Sequence, residues 1–316
     1  MPSIDKTVEL IINRSAQRVR MCAERAGLPP MLIVQAGPGF PLLHEVRKFQ
    51  RRLHLESDFL VAYWDQRGCG AGSRHDAESV SLEQQVKDVR AVLQWLHDET
   101  KQAVIILGIS LGATFTLQAV QDESNRVKAV IAISPDADTA RSDAAAHTFL
   151  QEQTARARSR RSRDRLAKLG APPYTTATTI QSRARLLTDL GAIERGRTFN
   201  SLLAETLYGM IRAYGPLGTA NALRNMNLIQ NRMLPPLASL NLFAKPPRVA
   251  VPVHYVFGEQ DALNPAAIAQ ELPAAIAAPE HTVVRLPEAG HMAHFDQPEF
   301  MRAIAMRARD EVLMPQ

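Results

Sequence analysis

Short apolar runs alternate with amphipathic stretches along most of this chain. Residues 7–12 and 17–22 predict a hairpin, with Asn13-Arg14-Ser15-Ala16 as its turn. Residues 31–35, 58–65, 103–107, 127–134, 251–257 and 281–286 read as further strands. Most are continuous runs such as Val104-Ile105-Ile106-Leu107, the pattern of a strand buried on both faces. Between them lie helical stretches at 42–53, 113–120, 266–278 and 298–313, with Asp296 placed to cap the last. The stretch 82–100 is the clearest. Val86, Val89, Val92, Leu93 and Leu96 recur at three- and four-residue spacing and form one apolar stripe. Strands alternating with helices predict an α/β architecture: a mainly parallel sheet flanked by helices.

Between about residues 138 and 248 the alternation stops. No strand pattern is evident there, and 202–214 and 218–234 read as helices. This predicts a helical cap inserted after the sixth strand. The core domain would comprise residues 1–137 and 248–316, and the cap domain residues 138–247. Leu166, Leu169, Tyr174, Leu203, Leu207, Tyr208, Met210 and Met226 are apolar cap residues expected to divide between internal packing and a substrate pocket.

Composition narrows the class. The 316 residues are 46 % hydrophobic and 22 % charged, as in an ordinary globular protein. The two cysteines, Cys22 and Cys69, are too few for a disulfide framework and make no metal pattern. The first residues are polar, and no apolar run approaches the length of a membrane span, so a cytoplasmic protein is expected. No membrane or nucleic-acid partner and no metal or organic cofactor is expected.

Gly108-Ile109-Ser110-Leu111-Gly112 joins the strand at 103–107 to the helix at 113–120. A serine on a strand–turn–helix of this kind stands at the C-terminal edge of a sheet, where the helix N-terminus favours developing negative charge. Ser110 is therefore the candidate nucleophile. A hydroxyl needs a base. Gly290-His291 follows the strand at 281–286, which makes His291 the candidate, with His294 close by. Asp261, after the strand at 251–257, is the preferred partner of the histidine. Glu259 in the same loop and Asp136 after the sixth strand are its rivals, Asp136 being read as a cap of the next segment. The order serine, aspartate, histidine is that of α/β-hydrolases. Gln35-Ala36-Gly37-Pro38-Gly39 supplies an oxyanion-hole candidate: Pro38 has no N–H, so the amides of Gly37 and Leu111 are expected to be the donors.

These motifs resemble those of the proline iminopeptidase branch of the α/β-hydrolases. Residues 35–39 are similar to its His-Gly-Gly-Pro-Gly motif, with Gln35 and Ala36 as departures. Asp65-Gln66-Arg67-Gly68 is similar to its Asp-Gln-Arg-Gly signature. The resemblance covers roughly residues 30–135 and 248–312. It implies the α/β-hydrolase fold and a triad of Ser110, Asp261 and His291. The elbow departs from the Gly-Gly-Ser-Trp-Gly of that branch, and its aromatic and acidic cap pattern is not found here.

The expected function is a serine hydrolase acting through an acyl-enzyme on a small ester, amide or N-terminal aminoacyl substrate, a small molecule or short peptide. One alternative is an aminopeptidase in the strict sense, and another a non-catalytic ligand- or partner-binding protein. A dehalogenase or epoxide hydrolase would carry aspartate in place of Ser110. Charge bears on the choice. The chain is +5 overall, yet residues 141–247 hold sixteen Lys/Arg against six Asp/Glu. An arginine-rich cap favours neutral or anionic acyl groups over a free ammonium, with Glu194 and Glu205 as the carboxylates that could reverse this. The run at 156–165 admits two readings: a solvated helix face with pairs Glu152/Arg156 and Arg160/Asp164, or a surface for an acidic partner.

Overall fold

In a computed structural model, which describes every residue except 1–2, 122, 124, 158 and 312–316, eight strands form one sheet. They are β1 (Ile4–Ile12), β2 (Ser15–Ala23), β3 (Pro30–Val34), β4 (Leu60–Asp65), β5 (Val104–Ile109), β6 (Val127–Ile133), β7 (Val253–Gly258) and β8 (His281–Leu286). The order across the sheet is β1-β2-β4-β3-β5-β6-β7-β8. The β1–β2 hairpin runs antiparallel onto β4, and β3 to β8 are parallel. The helices are α1 (Val46–Leu53), α2 (Arg74–Glu78), α3 (Leu82–Thr100), α4 (Leu111–Ala119), α5 (Thr139–Arg156), α6 (Arg160–Leu169), α7 (Ala177–Asp189), α8 (Phe199–Leu237), α9 (Ala266–Ala275), α10 (Ala293–Asp296) and α11 (Pro298–Asp310).

Side chains alternate across the strands and build two cores. Leu32, Val34, Ala62, Trp64 and Ile106 face α3 and α4 on one side. Met31, Ile33, Val61, Tyr63 and Ile105 face α1 and α11 on the other. With both faces covered, the central strands need no polar alternation, which is why they read as unbroken apolar runs. At the sheet's end, β8 alternates exposed and partly buried residues.

The insertion between β6 and β7 is helical, comprising α5 to α8. The long α8 breaks at Gly215, whose φ of 71° and ψ of 173° are non-helical, and Pro216 starts its second half. This is the boundary expected between 202–214 and 218–234. Helix α5 was poorly visible in the sequence because its buried face is Ser142, Asp143, Ala146, Leu150 and Thr154, mostly small or polar.

Three local expectations are corrected. The hairpin turn is only Asn13-Arg14, because Ile12 already pairs with Ser15 and both turn residues adopt positive φ. Asp136 does not cap α5; Asp138 does, accepting from the Arg141 amide at 3.1 Å. Asp296 does not cap α11, because its carboxylate is committed to the amides of Gly290 and Arg195, both at 2.8 Å. Arg158 of the arginine run and the expected end of the last helix at 312–313 lie outside the described residues.

Candidate active site

The residues of interest converge at the C-terminal edge of the parallel strands. Ser110 follows β5 in a strained conformation, φ 53° and ψ −124°, and α4 begins at the next residue. The turn is tight enough to require its glycines. A Cβ at Gly108 would lie 2.6 Å from the Ala113 Cα, and one at Gly112 would penetrate the Val34 and Gln35 carbonyl oxygens. The Ser110 amide is tied to the Ile133 carbonyl at 2.8 Å, which anchors the turn to the neighbouring strand.

The structure brings Ser110, His291 and Asp261 together. His291 Nε2 lies 2.9 Å from Ser110 Oγ, and Nδ1 lies 2.9 Å from an Asp261 carboxylate oxygen. All three are buried. The other Asp261 oxygen accepts the amides of Leu263 at 2.8 Å and Asn264 at 3.2 Å. Burial alone would raise the Asp261 carboxyl, but the imidazole and these hydrogen bonds outweigh it and hold the group below the usual carboxylate range. Burial alone would lower the His291 pKa; Asp261 overcomes this and raises it above the ordinary histidine value. An ionised Asp261 accepts from Nδ1–H, so Nε2 is left as the acceptor for the Ser110 hydroxyl.

The cap helps hold the histidine. The amides of His291 and Met292 donate to the Ala192 and Ile193 carbonyls, at 2.9 and 2.8 Å. This support had no signature in the sequence. His294 is also buried, but it stacks on Phe49 at 5.6 Å and burial pushes its pKa well down, so it packs as a neutral ring. Glu259 is exposed and makes no contact with His291. Asp136 lines the same cavity as Ser110 and His291, and its carboxylate has no hydrogen-bond or ion-pair partner among the described residues. Burial raises its pKa, with His291 and Arg183 pulling the other way.

Gly37 lies against Leu111, 3.4 Å from its side chain at the position of a Cβ. The Leu111 amide is in the first turn of α4 and has no intrahelical acceptor. Gln35 holds the loop: its side chain accepts from the Ala36 amide at 3.0 Å and donates to Glu45 at 2.6 Å. The Asp65-Gln66-Arg67 run is a brace beneath it. Asp65 accepts from the amides of Leu42 and Leu43 at 2.6 and 2.9 Å and from the Tyr214 hydroxyl at 2.8 Å. Gln66 donates to the Gln35 carbonyl at 3.1 Å. Arg67 forms a buried pair with Asp88, at 2.7 Å, and ties down the hairpin turn through the carbonyls of Ile12 and Asn13. Cys69 and Cys22 are both buried free thiols, and burial pushes Cys22 up to about 12.

Core and cap enclose a cavity of about 900 Å³ above Ser110. Of the apolar cap residues, Tyr174, Leu203, Tyr208, Met210 and Met226 line it. Leu166 and Leu169 instead join the cap's own core with Leu150 and Leu186. Glu194 and Glu205 line the cavity but are neutralised. Glu194 pairs with Lys48 at 2.6 Å and with Arg52 and Arg197 at 3.8 and 3.7 Å. Glu205 pairs with Arg197 at 2.7 Å and Arg51 at 3.8 Å. Asp143 is matched to Arg183. Among the described residues, no helix is long and apolar enough to cross a membrane, and no group of three or more His, Cys, Asp or Glu is placed to hold a metal ion.

Residues 29–298 match a family model described as the alpha/beta hydrolase fold. A Bacillus subtilis protein named "Probable aminopeptidase YbaC" is 25 % identical over 307 residues, 95 % of each chain. Among solved structures, a proline iminopeptidase from Mycobacterium smegmatis superposes with a TM-score of 0.68 at 18 % identity, covering 96 % of this chain and 97 % of the other. A proline iminopeptidase-related protein from Thermus thermophilus gives 0.64 at 19 %, with the same two coverages.

Proposed function

The chain belongs to the α/β-hydrolase fold family and is a hydrolytic enzyme, and from that premise we propose a serine hydrolase that works through an acyl-enzyme. The observation that carries the reading is the unbroken relay from Ser110 Oγ through His291 to Asp261, with both links at 2.9 Å. In this mechanism Ser110 attacks an acyl carbonyl as its proton passes to His291 Nε2. Asp261 holds the imidazolium that forms. The amides of Gly37 and Leu111 bind the tetrahedral oxyanion, and His291 returns the proton to the leaving group. A water activated by the same nitrogen then releases the acyl group. The substrate is a small ester, amide or N-terminal aminoacyl compound that fits the capped cavity.

Labelling by a fluorophosphonate, together with turnover of p-nitrophenyl esters, tests the reading. Ser110→Ala is expected to abolish both, with a rate loss of at least about 10³-fold, while the fold persists. Turnover near the wild-type rate by a folded Ser110→Ala protein would sink the mechanism.

A strict aminopeptidase is the second reading. The relative's name points to it, and so does Asp136, an unpaired carboxylate facing the cavity beside His291. Against it, Glu194 and Glu205 are already neutralised by lysine and arginine. Comparing kcat/KM for a free alanyl arylamide and its N-acetyl counterpart separates the two. A strict aminopeptidase turns over only the free amine, and Asp136→Asn would remove that preference.

A further inference from the structure

The cavity mouth lies where the first half of α8 crosses the 43–45 turn ahead of α1. The backbones meet closely there: a Cβ on Gly209 would be 2.8 Å from the His44 carbonyl oxygen. Arg212 is one helical turn beyond Gly209 on α8. Arg47 and Arg51 are the next two turns beyond His44 on α1. All three line the cavity. Arg47 and Arg212 are exposed and ion-pair with no carboxylate among the described residues; Arg212 donates to the Tyr208 hydroxyl at 3.3 Å and lies 5.7 Å from the centre of that ring. Lys48 also lines the cavity, while Arg52 and Arg197 stand behind its wall, paired with Glu194 and Glu205. The facing carboxylates are Glu45, Glu194 and Glu205. The last two are held by Lys48 and the neighbouring arginines, and Glu45 is bound by Gln35. Among the residues that line this end, four cations face three carboxylates, and Arg52 and Arg197 behind the wall add to the positive side.

The walls around these charges are apolar. Phe40, Leu203 and Tyr208 line the mouth and are 40 %, 41 % and 64 % exposed. Low-dielectric walls concentrate the field of a charged cleft. At the deep end Arg183 is matched by Asp143 and Asp136 faces the cavity beside His291, so no excess of positive charge remains there. Attraction for a substrate carboxylate is therefore concentrated at the mouth.

We propose that the enzyme selects substrates that carry a carboxylate remote from the scissile carbonyl, held at the mouth by Arg47 and Arg212 while the neutral ester or amide reaches Ser110. The proposal rests on the serine-hydrolase reading and names its substrate class. Neither arginine touches the reacting atoms; both determine specificity.

The test uses two matched pairs of esters. One pair places the charge on the acyl side: p-nitrophenyl hemiadipate and its methyl ester. The other places it on the leaving group: the butyrate ester of 3-(4-hydroxyphenyl)propionate and its methyl ester, where the methylenes insulate the phenol from the charge. The quantity read is the ratio of kcat/KM, anionic over neutral. In at least one pair the ratio is expected to be about tenfold in favour of the anion at low salt, and to fall as salt screens exposed charge. It should drop to about one in R47Q/R212Q and invert in R47E/R212E. Partial unfolding lowers both members of a pair alike, so the ratio reports on folded enzyme alone. No anionic preference in either pair overturns the proposal, and so does a preference that survives both double variants. If no ester is turned over and Ser110 resists labelling, the serine-hydrolase reading itself has failed.

Discussion

Asp261→Asn is the perturbation whose consequence can be worked furthest. One Asp261 oxygen accepts two backbone amides, Leu263 at 2.8 Å and Asn264 at 3.2 Å; the other accepts from His291 Nδ1 at 2.9 Å and, at a longer 3.4 Å, from the Asn264 side-chain amide. An asparagine must place its oxygen at one of these positions and its NH2 at the other. Facing the NH2 toward the two amides would lose two buried hydrogen bonds and set donor against donor, costing roughly 1–3 kcal/mol each. The amide therefore turns its NH2 toward the histidine. Nδ1 is then forced to accept, the ring proton moves to Nε2, and the nitrogen facing Ser110 is no longer a base. The expected loss in kcat/KM is about 10³–10⁴-fold, or about 4–5.5 kcal/mol of transition-state stabilisation. The melting temperature should change little, because the shape is kept. Asp136→Asn, which touches no atom of the relay, should cost less than about tenfold on a neutral ester. The assay is steady-state turnover of p-nitrophenyl butyrate with the rate of fluorophosphonate labelling in parallel. An Asp261→Asn enzyme within tenfold of wild type would refute the argument, and so would an Asp136→Asn enzyme as damaged as Asp261→Asn.

The pH dependence follows from the same pair. Neutral His291 is the active form and Asp261 raises its pKa, so kcat/KM should climb with pH through a midpoint above the ordinary value of 6.5. Asp261→Asn removes the largest influence opposing burial, leaving only Asp136, and should move that midpoint downward; an acid limb unmoved by the substitution would contradict the assignment. Gly112→Ala should destabilise the protein by about 3 kcal/mol and abolish labelling, because its Cβ would meet two backbone carbonyls that cannot retreat. Urea unfolding with a midpoint like that of wild type would show the elbow to be looser than described. Lys48→Met leaves Glu194 buried with only arginines at 3.7 and 3.8 Å, and should cost about 3 kcal/mol in thermal or urea unfolding. Pairing it with Glu194→Leu should recover most of that loss, and no recovery would mean that the carboxylate is not what the lysine serves.

Much of this molecule was legible in one dimension because its signals are local. A strand buried on both faces must be apolar throughout, so the strands at 103–107 and 127–134 stood out without any knowledge of their neighbours. Gly108 and Gly112 flank Ser110 because the turn leaves no room for a Cβ, and that constraint is written within five residues. Strand ends offered candidates for the base, its carboxylate and the oxyanion loop, with Asp136 and Glu259 left beside Asp261. The cap was legible as an interruption, and its charge as a count.

What only the tertiary structure decided depends on groups far apart in the chain. Asp136 and Asp261 both follow sheet strands, and sequence cannot say which carboxylate points at Nδ1. The Leu263 and Asn264 amides and the path of the 258–264 loop aim Asp261, while Asp136 turns into the cavity. A cap rich in arginine could have been a featureless solvated surface. Folding sorts its charges: Glu152/Arg156 and Arg160/Asp164 pair loosely on exposed faces, whereas Glu194 and Glu205 gather Arg197 of the cap with Arg51 and Arg52 of the core. The Asp65-Gln66-Arg67 run was visible as a motif, but its work is to join the 35–43 loop, Tyr214 of the cap and the hairpin turn. Hydrogen bonds and ion pairs are short-range and directional, so their partners are set by where the chain returns in space. Burial of apolar residues needs no particular partner, and it is that part of the fold which composition and period alone could determine.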